Sequence, residues 1–195
     1  MPKLGMEPIR RSALVEATIH EIGAQGTLDV TVSQIAKRAG MSSALAHHYF
    51  GSKEQMFAAA MRHILSLYGA EVRGALIMAK TPRERIEAVI RASFAPAQFR
   101  PEFVSAWLNF YVQAQKSEEA RRLLHVYQGR MRSNLYHAFR QIAGADARTL
   151  TRGLAAMIDG LYIRQALRSD PMSPAAAIDV LFHYLDTSLE AGEPA

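Results

Sequence analysis

Apolar residues recur every three or four positions along most of this chain, and no stretch alternates apolar and polar residues long enough to make a strand. The pattern predicts an all-α fold of about nine helices. A first helix is expected from about Arg10 to Gln25, with Leu14, Val15, Ile19 and Ile22 on one face and Gly26 as a left-handed stop. Its apolar stripe needs a partner. Thr31-Val32-Ser33-Gln34 has the spacing of a capping box, so a short helix starts there and ends at Gly40. Ser42 is placed to cap a third short helix that reaches Phe50.

Ser52-Lys53-Glu54-Gln55 repeats the capping spacing, and Met56, Phe57, Ala60, Ile64, Leu65 and Leu67 carry a long linking helix to about Ala79. Thr81-Pro82-Arg83-Glu84 opens a fifth helix that stops before Pro96. After Pro101 come Phe103, Trp107, Phe110 and Tyr111 at helical spacing. Ser117-Glu118-Glu119 then opens a long helix bearing Leu123, Leu124, Tyr127, Met131, Leu135 and Phe139. Two closing helices follow, one through Leu150, Leu154, Ile158 and Leu161, the other from Ser173-Pro174 through Leu181, Leu185 and Leu189. The organisation expected is a three-helix head over residues 1–52 and a helical body over 53–195, with the last two helices as a homodimer interface.

Composition narrows the chemistry. The 195 residues contain no cysteine, which removes disulfides, thiolate metal sites and redox sensing. The first residues lack the apolar core of a signal peptide and no apolar run is long enough to span a bilayer, so a cytoplasmic location without membrane partners is expected. The net charge of +5 favours a polyanionic partner. The excess does not sit in the head: residues 1–60 hold six Lys and Arg against five Asp and Glu. It sits between Arg121 and Arg152, where seven arginines accompany Asp146 alone, and reads as a solvated helix face. The seven histidines are scattered, and His20-Glu21 lacks the second His of a zinc-protease helix. Neither metal site, cofactor nor catalytic residues are expected, and an enzyme is disfavoured.

The capped helix, glycine corner and second short helix with small leading residues from Thr31 to Phe50 are what a helix-turn-helix demands. With Ile35, Ala36, Ala39, Gly40, Ser42, His48-Tyr49-Phe50, Ser52-Lys53-Glu54 and Phe57, the segment resembles the head of the TetR family of repressors. One departure is His47, where the family often carries an aromatic residue. By chemistry, Ser42, Ser43, Ala44 and His48 are expected near base edges and Thr31, Ser33, His47, Tyr49 and Lys53 on phosphates of double-stranded operator DNA. Lys3, Arg10 and Arg11 are either further phosphate contacts or a solvated helix start, and Phe50 and Phe57 are expected in the core.

Further motifs reach into the body: Met1-Pro2-Lys3-Leu4-Gly5-Met6, Ile9-Arg10-Arg11, Ala106-Trp107-Leu108, Gly153-Leu154-Ala155-Ala156 and Ile158-Asp159-Gly160-Leu161. In these the chain is similar to the choline-responsive branch of that family, which represses glycine betaine synthesis genes. The resemblance implies choline as the effector. A quaternary ammonium has no proton to donate, so aromatic faces and a carboxylate must hold it. Trp107, Phe110 and Tyr111, with Tyr127, Asp159 and Tyr162 from later helices, are the candidate cage, and Asp159 is the candidate counter-charge. An aromatic stripe at this spacing also reads as ordinary core. The alternatives left open are a repressor answering to a lipophilic cation or an acyl thioester, and a helical adaptor without DNA.

Overall fold

In the computed structural model, which describes residues 5–190, the elements are helical throughout. They are α1 (Met6–Gln25), α2 (Val32–Arg38), α3 (Ser43–Phe50), α4 (Lys53–Met78), α5 (Pro82–Ser93), α6 (Pro101–Gln113), α7 (Glu118–Ile142), α8 (Ala147–Leu167) and α9 (Pro174–Glu190), with a 3-10 turn at Gly144–Asp146. The start signals act as their chemistry requires. Thr31 Oγ1 accepts from the Gln34 amide at 3.2 Å while Gln34 Oε1 accepts from the Thr31 amide at 2.7 Å, and Thr81 and Glu84 make the same reciprocal pair. At Ser52 the forward bond is present, from the Gln55 amide to Oγ at 3.3 Å. α1 begins a turn earlier than expected, at Met6, where the Glu7 carboxylate accepts from Arg11 one turn on at 2.9 Å. Lys3 and the other residues before Gly5 lie outside the described residues.

The chain forms two compact units. The first takes residues up to Leu65 together with Pro101–Arg121. Its core holds Leu14, Ile19, Ile22, Ile35, Ala46, Met56, Phe57 and Phe110, all buried. The partner that the stripe of α1 needs is α6, in addition to α2. This is why α6 joins the first unit. At Gly23 of α1 a Cβ would stand 2.5 Å from Glu102 Cα, so the approach of α1 to α6 requires a residue without a side chain. Phe57 is in the core as expected, whereas Phe50 is half-buried, with the Arg11 guanidinium 5.2 Å from its ring centre.

The second unit takes Ser66–Arg100 and the residues from Arg122 onward. Ile86, Ile90, Phe94, Leu135, Phe139, Leu154, Ile158, Leu181 and Leu185 form its core, and α9 packs on both α5 and α8. Arg122, Arg130, Arg132, Arg140, Arg148 and Arg152 are exposed, as a solvated face requires. No helix among the described residues is long and apolar enough to cross a membrane.

Candidate nucleic-acid interface and effector site

In the first unit α2 and α3 pack on each other, joined by a corner in which Gly40 adopts φ 67°. Ser42 caps α3, its Oγ accepting from the Leu45 amide at 3.2 Å. Ala46 alone on α3 is buried. Ser42, Ala44, His47 and His48 are exposed and Ser43 is half-buried, so the leading face of α3 is open to solvent. Thr31 and Ser33, at the start of α2, are exposed as well.

Several of these side chains also hold the head together. Lys53 Nζ donates to the Leu28 carbonyl at 3.1 Å, tying the start of α4 to the loop before α2. Arg10 donates to the Tyr49 hydroxyl at 3.3 Å, and the Arg11 guanidinium lies 5.6 Å from the Tyr49 ring centre. Tyr49 meets the His48 ring edge-on at 5.5 Å. His47 Nδ1 lies 3.0 Å from the Gly51 carbonyl, which as an acceptor requires the proton on Nδ1 and leaves Nε2 at the exposed end of the ring. Arg10 and Arg11 are thereby bound to α3 through its aromatic end, a link that neither residue's local sequence signals.

The six effector candidates divide between the units. Trp107, Phe110 and Tyr111 belong to the first, where the Trp107 ring lies 5.8 Å from Phe110 and 5.9 Å from Tyr111, and Phe110 is fully buried 6.5 Å from Phe57. Tyr127, Asp159 and Tyr162 belong to the second, together with four residues that sequence reasoning missed: Tyr68, Ser93, Phe94 and Phe99. Tyr127 meets Tyr68 edge-on at 5.4 Å. Tyr162 packs against Phe94 at 5.5 Å and Phe99 at 5.4 Å, and Phe94 meets Phe99 at 5.2 Å.

Ser93 at the end of α5 joins the two groups of rings. Its Oγ donates to the Val89 carbonyl at 2.8 Å, so in the contact at 3.3 Å between Ser93 Oγ and Tyr68 the phenol is the donor. The Tyr162 hydroxyl donates to the Ser93 carbonyl. Burial pushes the Tyr68 phenol up to about 12, and the Asp159 carboxylate adds to the shift. Burial likewise raises the Tyr162 phenol, helped by the nearness of Tyr68, which must not ionise beside it, and by the Asp159 charge. Both phenols are therefore neutral at ordinary pH, and the negative charge acting on both rings is that of half-buried Asp159. Aromatic faces with one carboxylate among them suit a cation that has no proton to give.

A separate cleft of about 670 Å³ in the second unit is lined by Arg83, Asp146, Asp186 and Glu190 among others and contains no aromatic ring. Arg83 there already pairs with Asp186 at 2.5 Å and Glu87 at 2.9 Å. No cluster of three or more His, Asp or Glu that could hold a metal occurs among the described residues.

Comparison with known proteins bears on both units. Residues 14–60 match the model for bacterial regulatory proteins of the tetR family, and residues 82–190 match that for the C-terminal part of BetI-type transcriptional repressors. A Rhizobium meliloti (strain 1021) protein, HTH-type transcriptional regulator BetI, is 54% identical over 192 residues, 98% of this chain and 95% of its own. A protein of the same name from Brucella anthropi is 50% identical over 97% of this chain and 98% of its own. Among solved structures, a transcriptional regulator from Pseudomonas aeruginosa PAO1 superposes with a TM-score of 0.80 at 27% identity, covering 97% of this chain and 94% of that one. A regulator from Saccharomonospora viridis, solved in complex with choline, superposes with a TM-score of 0.81 at 24% identity, covering 90% and 95%.

Proposed function

We propose, for a chain that belongs to the TetR family and is a DNA-binding transcriptional repressor with a BetI-type C-terminal half, that choline is the effector and that glycine betaine synthesis genes are its targets. The observation that carries this reading is the cluster in the second unit, where Tyr68 and Tyr162 present neutral rings within the field of Asp159 and Tyr127 meets Tyr68 edge-on. The aromatic faces supply cation–π attraction worth about 0.5 to 2 kcal/mol each, and the carboxylate balances the charge. The choline held by the Saccharomonospora viridis regulator supports the same ligand. Trp107 and Phe110 are buried in the first unit and Tyr111 is half-buried beside Trp107; the cation contacts proposed for the second unit are those of Tyr127, Asp159 and Tyr162 with Tyr68.

Proteins of this family bind operator DNA as dimers and answer to small molecules. We place the dimer contact on α8 and α9, which leave Ile163, Leu167 and Val180 exposed, 61% in the case of Leu167. Each copy then offers one α3 to successive major grooves about 34 to 36 Å apart, which calls for a nearly palindromic operator. Ser42, Ser43, Ala44 and His48 face the bases in this reading, and Thr31, Ser33, His47, Tyr49 and Lys53 the phosphates. Choline favours the conformer with lower operator affinity, and linkage makes the effect reciprocal at about 5- to 150-fold.

The test is a gel shift with a duplex covering the promoter beside the protein's own gene. A shift that choline reverses supports the reading. A shift that resists millimolar choline but yields to a lipophilic cation or an acyl thioester replaces choline by that ligand, and no shift with any promoter fragment removes the operator assignment.

A further inference from the structure

Aromatic faces and a carboxylate attract any quaternary ammonium ion, so on their own they do not tell choline from a cation with the same head and another tail. In the turn after α5 the Gln98 amide donates to the Ala95 carbonyl at 2.8 Å and the Phe99 amide to the same carbonyl at 3.0 Å. That turn buries three large side chains: Phe94, Gln98 and Phe99. Two of them are the rings that pack on Tyr162. The third, 3% exposed, carries an Oε1 atom with no hydrogen-bond partner among the described residues. An enclosed amide oxygen without a donor is destabilising, and enclosed polar atoms are paired in the great majority of cases. An acceptor left open in the turn that frames an aromatic cation site is suited to a ligand with one neutral donor.

We propose, resting on the choline reading above, that Gln98 determines effector specificity: its Oε1 accepts the hydroxyl proton of a hydroxyalkyl quaternary ammonium ion whose trimethylammonium head lies among Tyr68, Tyr127, Tyr162 and Asp159. A tail ending in a methyl group leaves Oε1 unpaired. A tail ending in a carboxylate, as in glycine betaine, sets a negative charge against that oxygen and against Asp159. The hydroxyl is thus the group that is read, and the head is the group that is held.

Isothermal titration of the full chain with choline, propyltrimethylammonium (a methyl in place of the hydroxyl) and glycine betaine tests this. The wild-type chain is expected to prefer choline over the propyl cation by about tenfold or more, because a site built to bond a hydroxyl rejects the analogue lacking it. Gln98→Met should bring the two within about twofold by weakening choline alone, with affinity for the propyl cation unchanged. A merely structural role for Gln98 would weaken both cations equally, and that result overturns the proposal. Equal wild-type affinity for the two cations overturns it too, whether or not the variant folds. A wild-type chain that binds neither cation overturns the choline reading itself and this inference with it, whereas choline binding without discrimination removes only the role of Gln98.

Discussion

The two units solve opposite problems. The first displays its proposed working residues: Ser42, Ala44, His47 and His48 stand on an open helix that Ser42 itself caps. The second hides them: Tyr162, Phe94 and Phe99 are buried, and their meeting depends on segments far apart in the chain, Ser93 and Tyr162 being separated by 69 residues. DNA is too large to be enclosed and must be met by a surface, whereas a small cation is held by exchanging its hydration shell for enclosing walls. Local bonds start and cap the helix that makes the former, and only tertiary packing assembles the rings of the latter.

The contrast is most directly broken by Phe94→Ala. The ring is fully buried, so its loss should cost about 3 to 5 kcal/mol, read from urea unfolding. If the effector site depends on long-range packing, choline binding disappears with it. Retention of the choline affinity would show that the cluster does not need that wall. Gly23→Ala probes a place where the first unit also depends on close packing of distant segments. The added methyl meets the backbone of α6, and a loss of about 1 to 3 kcal/mol is expected in the same measurement, against a slight gain if the helix could simply shift aside.

Asp159→Asn separates the functions. Choline affinity by calorimetry should fall about tenfold, close to 1.4 kcal/mol, while operator affinity without ligand stays within about twofold. Equal losses on both sides would mean that Asp159 acts through the fold. Ser42→Ala is the smallest change, removing one cap for about 1 kcal/mol of stability. It should lower operator affinity at fixed salt without moving the choline affinity.

These differences also explain what could be read in the chain beforehand. Thr31 with Gln34, Thr81 with Glu84, and Ser42 before α3 each signal a helix start through bonds spanning three residues, so α2, α3 and α5 were legible from spacing alone. The solvent-facing residues of α3 follow from the same periodicity. Tyr68 did not stand out within the long apolar pattern of α4, because its meaning comes from Ser93, 25 residues on, and from Tyr127 on another helix. Ser93, Phe94, Gln98 and Phe99 lie around the break before Pro96, where periodicity ends and with it the information about facing. Trp107, Phe110 and Tyr111 were conspicuous for the opposite reason: a dense aromatic stripe is visible in any sequence, yet it serves equally well as filling, as Phe110 does against Phe57.

Trp107 is the single tryptophan of the chain, 4% exposed, while the rings of the second unit's cluster are all tyrosine and phenylalanine. Light at the red edge of the absorption band therefore excites one indole in the first unit and nothing in the other. Shorter wavelengths add the phenols. The molecule thus carries two intrinsic optical channels, so a single titration followed in both can time an event at the phenols against its arrival at the indole without any label.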